Sequence, residues 1–174
     1  MNDLTYSYPG AKLRKRKSRT NSKAMLVVLL LFCCSVAVIG ARIAATELHP
    51  WYLKLAKPRF EPPTWLFTPV WIAFYVIMAI AVWMVWRTRS GRFRVDGMVL
   101  FCIQLCLNLA WVIAFFHLHR LLVAVIVILG LWFAAAFTTG LFWQVRRRAG
   151  ALMFLCLGLI SYVIGLNLVL LRLN

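Results

Sequence analysis

The sequence predicts an all-α membrane protein, a bundle of five transmembrane helices, and three observations carry that prediction. Hydrophobic residues make up 64% of the chain and charged residues 14%, where a soluble domain holds about half and about a quarter. The apolar residues are gathered into five long, almost charge-free runs, and a hydrocarbon slab of about 30 Å requires about 20 such residues per helix. Each run is apolar on every face, which excludes the alternating segments of about ten residues that build a membrane β-barrel.

Residues 1–23 are polar and basic without apolar periodicity, and they read as a disordered tail. The first span runs from Ala24 to about Ala45 and carries no charge before Arg42. It is longer than the apolar core of a secretory signal, and Arg42 to His49 lacks a small-residue cleavage pattern, so it reads as a retained span. The second span covers Thr64 to Trp86, the third Met98 to Phe116, the fourth Leu121 to Trp143 and the fifth Ala149 to Leu171. Residues 24–174 thus form one membrane domain behind the tail.

The net charge of +16 would suggest a nucleic-acid partner in a soluble protein. Here its distribution says otherwise. Fourteen of the 20 Lys and Arg residues lie in the tail, in the loop from Arg87 to Arg94 and in the run Arg146 to Arg148, and six lie on the opposite side. The positive-inside rule then places the tail in the cytoplasm and residue 174 outside, in what is expected to be a bacterial cytoplasmic membrane. The expected partners of these cations are anionic membrane lipids, at about 1 kcal/mol per residue, with no nucleic acid.

Catalytic and metal chemistry find little material. Cys33, Cys34, Cys102, Cys106 and Cys156 all fall inside spans, where thiols act as small hydrophobes. The acidic residues Asp3, Glu47, Glu61 and Asp96 and the histidines His49, His117 and His119 all lie outside the spans. No buried carboxylate pair, nucleophile with its base, or metal-ligand spacing is present, so neither an enzyme nor a metal site nor an obligatory cofactor is expected. A proton-coupled transporter would also want an intramembrane carboxylate.

The distinctive stretch is Trp51 to Trp86. Pro58, Pro62 and Pro63 cannot continue a helix, so the loop after the first span should be extended and stiff, while Pro69 is tolerable near the start of the second span. Trp65, Trp83, Trp86 and Trp143 sit near span ends, where interfacial anchoring accounts for them. Trp71 and Tyr75 lie deeper and share one face of the second span. Gln104, Asn108 and Trp111 make a mixed polar and aromatic stripe on the third, and Asn167 stands alone on the fifth. Amides at membrane depth must point into the bundle, either as interhelical hydrogen bonds or as the polar contacts of a ligand cavity.

These residues resemble a known signature. Trp51, Tyr52, Leu55, Lys57, Pro58, Pro62, Pro63, Trp65, Phe67, Pro69, Val70, Trp71, Tyr75, Met78, Val85 and Trp86, followed by Gln104, Leu105, Asn108, Trp111, Phe115 and Phe116 and by the pair Leu166 and Asn167, are similar to the motifs of the TspO/MBR family of tryptophan-rich sensory and translocator proteins. The resemblance covers Trp51 to Asn174 and is specific in the second and third spans. It implies a five-helix bundle, commonly a homodimer, binding tetrapyrroles such as porphyrin or haem in a cavity among the helices. Trp71, Tyr75, Gln104, Asn108, Trp111 and Asn167 would be the ligand-binding residues, with Trp51, Pro58, Pro62, Pro63 and Trp65 in the covering loop.

The chain also departs from the family pattern. The fifth span usually carries a Pro-Tyr pair and a cavity-facing Trp, where this chain has Leu155, Cys156 and Leu159, so one aromatic wall is missing and porphyrin breakdown is not expected. Phe60 and Phe101 stand where Trp and Tyr are common, and Leu168 replaces the Tyr that the sterol pattern needs, so no sterol site is expected. Two functions stay open: a tetrapyrrole-binding sensor or regulator, and a carrier of such ligands. Small-residue pairs at Ala110 and Ala114, and at Ser161 and Gly165, would permit self-association.

Overall fold

The computed structural model describes residues 17–48, 51–56, 63–88 and 91–174. In chain order these form α1 (Lys17–Leu48), a short 3₁₀ turn (Tyr52–Lys54), α2 (Thr64–Trp86), α3 (Arg92–Val112), a π-helical turn (Ile113–His117), α4 (Leu121–Val145) and α5 (Arg147–Leu173). No strand occurs among the described residues. All five helices contain stretches long and apolar enough to cross a membrane, so this is an integral membrane protein. The spans fall where the apolar runs place them. α1 overshoots its expected span at both ends, and its first turns take in residues 17–23, the end of the expected tail. Residues 1–16, with Pro58 and Pro62, lie outside the described residues.

Local chemistry sets the boundaries. Pro63, with φ −54° and ψ 140°, precedes α2 and accepts the Leu66 N–H at 2.9 Å. Extended Gly91 opens α3. A single extended residue, Arg146, separates α4 from α5, and its carbonyl accepts the N–H groups of Ala149 and Gly150 at 2.9 and 3.1 Å. So abrupt a reversal brings the two helices into immediate contact. A Cβ at Gly150 would fall 2.7 Å from the Cα of Trp143.

In projection the helices follow the order α1, α2, α5, α4, α3, with α4 packed most closely on both α3 and α5, and the ring closing where α1 meets α3 and its π turn. Chain reversals put the arginine-rich loops at one end and the 3₁₀ turn and π turn at the other. At the arginine-rich end the indole N–H of Trp83 donates to the Ser22 carbonyl at 2.7 Å. Trp83, expected only to anchor at the interface, thus staples α2 to α1. Trp86 and Trp143 are exposed, as anchoring requires.

Two buried threonines need no partner helix. Thr138 and Thr139 return their hydroxyls to the carbonyls of Ala134 and Ala135, each at 2.7 Å. Ala114 is buried inside the bundle, and the exposed Ser161 accepts the indole N–H of Trp132 at 2.9 Å. The five cysteines are free.

Substitution of Gly150 by Ala is expected to destabilise the protein by about 1–3 kcal/mol, because the obstruction is backbone and not the end of a flexible side chain. Gly158→Ala on the same helix meets nothing within 4 Å and should leave stability unchanged or raise it by up to about 1 kcal/mol. Thermal unfolding in detergent compares the two directly.

Candidate functional site

A cavity of about 390 Å³ lies between α1, α2 and α3 beneath Tyr52. α1 lines it with Ala37, Gly40, Ala41, Ala44 and Ala45, small residues recurring every three or four positions. A large side chain on this face would occupy the space. α2 contributes Thr68, Trp71 and Tyr75, and α3 contributes Asn108 and Trp111, with Phe116 from the π turn.

The rings are ordered. Trp71 lies against Trp111 with centroids 5.7 Å apart and planes 28° from parallel, and Trp111 lies against Phe115 at 5.8 Å and 28°. Phe116 meets Phe115 edge-on at 4.9 Å. Aromatic rings in offset or edge contact gain about 0.5–1.5 kcal/mol beyond their burial. Trp71 and Trp111 thus present roughly parallel planes at the cavity, and Phe115, which is not among the lining residues, continues the column.

Buried amides hold this wall. The Tyr75 hydroxyl donates to Asn108 Oδ1 at 2.5 Å, joining α2 to α3. The Trp111 indole N–H donates to Asn167 Oδ1 at 3.3 Å, and Asn167 Nδ2 donates to the Val163 carbonyl at 2.9 Å. Asn167 therefore supports Trp111 from α5 and is not among the cavity-lining residues. Gln104 is likewise off the cavity, buried with Nε2 3.2 Å from the Met78 sulfur. Asn108, only 1% exposed, does line the cavity, and its Nδ2 has no hydrogen-bond partner among the described residues.

The loop residues divide. Trp51 packs edge-on to Phe115 and stacks on His119, centroids 4.3 Å apart, above the end of α3. Tyr52, quoted in the family signature but not expected as a site residue, is buried and forms the cavity roof. Pro63 opens α2 and Trp65 is 72% exposed, and neither lines the cavity. Pro58 and Pro62 fall outside the described residues.

The π turn has no sequence signature, yet it shapes the roof. Leu118 N–H reaches back to Ile113 and Arg120 N–H to Ala114, at 2.9 and 3.1 Å, and His119 adopts a left-handed φ of 55°. The widened turn buries both Phe115 and Phe116 beneath Trp51 and Tyr52.

Position 159 faces a second cavity, of about 280 Å³, between α2 and α5. Leu66, Val70, Leu159, Tyr162, Val163 and Leu166 line it with Trp71, which borders both cavities. Of the three fifth-span positions at which the family pattern is missing, only Leu159 lines this space; Leu155 is exposed and Cys156 is buried elsewhere in the core. No cluster of three or more His, Cys, Asp or Glu residues able to hold a metal occurs among the described residues.

Comparison with known proteins adds a second line. Residues 27–173 match the TspO/MBR family. The chain is 33% identical over 150 residues to the tryptophan-rich protein TspO of Chlorobaculum tepidum, covering 86% of this chain and 95% of that one. It is 31% identical over 151 residues to a tryptophan-rich sensory protein of Cereibacter sphaeroides, with 87% and 92% covered. It is also 33% identical over 131 residues to the human translocator protein, with 74% and 78% covered.

The Tyr75–Asn108 bond gives a stability test. Tyr75→Phe leaves a buried carbonyl oxygen unpaired and should cost about 1–2 kcal/mol. Tyr75→Phe combined with Asn108→Leu should cost less than the sum of the two single changes. A double-mutant cycle in detergent or bicelles measures the coupling, and strict additivity would show that the bond contributes nothing.

Proposed function

The chain belongs to the TspO/MBR family of membrane sensory and translocator proteins, and from that premise we propose that it binds a tetrapyrrole, porphyrin or haem, in the cavity between α1, α2 and α3 and serves as a sensor or regulator. The observation that carries the reading is the pair of cavity-lining indoles Trp71 and Trp111 beside an amide donor, Asn108 Nδ2, that has no hydrogen-bond partner among the described residues. A flat macrocycle offers π faces to rings set 28° from parallel. Its carboxylates or ring nitrogens offer acceptors to the amide, which otherwise bears the cost of an unpaired buried donor.

The volume, about 390 Å³, lies at the lower end of the roughly 300–1,000 Å³ found for small-molecule sites. Part of a macrocycle would therefore extend past Val38, Ala41, Ala45, Thr68 and Ile72, the lining residues that are exposed. No histidine, cysteine or methionine is among the described lining residues, so the fit is to the ring and its substituents and not to an iron. The site supplies aromatic faces and one amide but no acid–base pair, which favours binding over catalysis. The reading places the arginine-rich end in the cytoplasm of a bacterial cell.

Protoporphyrin IX is expected to quench tryptophan fluorescence saturably. Trp111→Ala and Asn108→Ala should each weaken the apparent affinity about tenfold, near the loss of one stacked ring or one hydrogen bond to a charged acceptor. Quenching that does not saturate, or that both variants leave unchanged, would overturn the assignment. Porphyrin flux into sealed proteoliposomes then separates a carrier from a sensor, since only a carrier moves ligand across.

A further inference from the structure

The carboxamide of Asn174, the residue after α5, pairs with both polar groups of Ala56. Ala56 N–H donates to Asn174 Oδ1 at 3.0 Å, and Asn174 Nδ2 donates to the Ala56 carbonyl at 3.2 Å. The remaining Nδ2 proton goes to the Leu170 carbonyl at 3.0 Å, so both donors and the acceptor of the side chain are engaged. The arrangement is that of a neighbouring strand's peptide, supplied here by one side chain.

Position in the fold gives this pairing its interest. The 3₁₀ turn ends with Leu55 extended, at φ −67° and ψ 143°, so the chain leaves the turn at Ala56. The backbone bonds within the segment, Lys54 N–H to Trp51 and Leu55 N–H to Tyr52, are local, and in its middle Tyr52 packs on Phe115 and Phe116. Its leading end rests through Trp51 on Phe115 and His119. Its trailing end is held by Asn174. Between them Tyr52 roofs the cavity. Residues 51–56 therefore form a strap from the end of α3 to the end of α5.

We propose that Asn174 is the positioning residue that latches this strap over the cavity, and that breaking its pair of bonds to Ala56 sets the rate at which ligand leaves. The proposal rests on the binding reading above. Neutral hydrogen bonds near an aqueous interface are individually weak. A pair of them holds the strap firmly enough to retain a ligand and loosely enough to release it. Three features of asparagine suit it to the task. Its side chain is neutral, carries an acceptor beside a donor, and is short enough to keep its second proton on Leu170. An aspartate would keep the acceptor for Ala56 N–H and lose both donors. A glutamine would carry the amide one methylene farther out.

The test uses the full-length protein in detergent or nanodiscs, with Asn174→Ala, Asn174→Asp and Asn174→Gln. Without ligand, amide hydrogen exchange at Ala56 should quicken about tenfold in Asn174→Ala, while amides in the middle of α4 keep their protection and report an intact fold. In protein loaded with protoporphyrin IX, dissociation should quicken about fivefold to tenfold, the size of one or two lost neutral hydrogen bonds, with association changed much less. Asn174→Asp, which keeps the acceptor for Ala56 N–H and loses both donors, should protect the Ala56 amide more than Asn174→Ala does and quicken ligand release less.

Unchanged exchange at Ala56 would overturn the latch. Faster exchange with unchanged dissociation would overturn its control of ligand release. If the unsubstituted protein bound no porphyrin, the proposed function would fall, and the exchange measurement by itself would still uphold or overturn the latch.

Discussion

A side-chain amide in hydrocarbon has no water to turn to, and this constraint organises the bundle. Gln104, Asn108 and Asn167 are all buried. Asn108 reaches Tyr75 on α2, Gln104 reaches Met78 on α2, and Asn167 on α5 receives the indole N–H of Trp111. Every one of these bonds has an end on α3. The third helix is therefore the hub to which α2 and α5 are fixed in rotation as well as in distance. Trp111 gains a defined orientation from it, with its N–H turned to α5 and its ring face toward Trp71.

The end of the bundle that carries the 3₁₀ turn and the π turn solves a different problem. A regular α-helix turns about 100° per residue, which sends consecutive side chains in different directions. Widening the end of α3 into a π turn lets Phe115 and Phe116 both enter the core and gives Trp51 and Tyr52 a floor of rings. His119 then carries the chain into α4 through a left-handed residue that also stacks on Trp51. Roof and floor are thus built from neighbouring segments, and the distortion of one accommodates the other.

Much of this was legible in the sequence, and the physical reasons for what was not are specific. The five spans follow from apolar runs, a signal that sums over some twenty residues and tolerates local irregularity. Trp71, Tyr75, Asn108 and Trp111 could be singled out because polar and aromatic groups at helical spacing mark one face. The same signal raised Gln104 and Asn167, but a helical face says only that an amide points inward, not which neighbour it meets. From the sequence Trp83 reads as an interfacial anchor, because its partner, the Ser22 carbonyl, belongs to another helix and leaves no trace in composition. The small-residue face of α1, Ala37, Gly40, Ala41 and Ala44, is not singled out by the sequence, because small residues in an apolar run also arise by chance. The contact of Asn174 with Ala56 joins residues 118 positions apart, beyond the reach of any local pattern.

The small glycines at the contacts of α4 have a consequence for how the protein responds to its surroundings. Gly97 lies against Phe142 and Gly150 against Trp143, so α3, α4 and α5 pack with almost no slack. α1 is the least buried of the spans, and between Ala37 and Ala45 it borders the cavity. The molecule is accordingly stiff on one side and compliant on the other. Thinning of the bilayer or a rise in lateral pressure would be taken up mainly by tilt of α1, and the cavity, bounded by that helix, is the part of the protein whose shape would follow the state of the membrane.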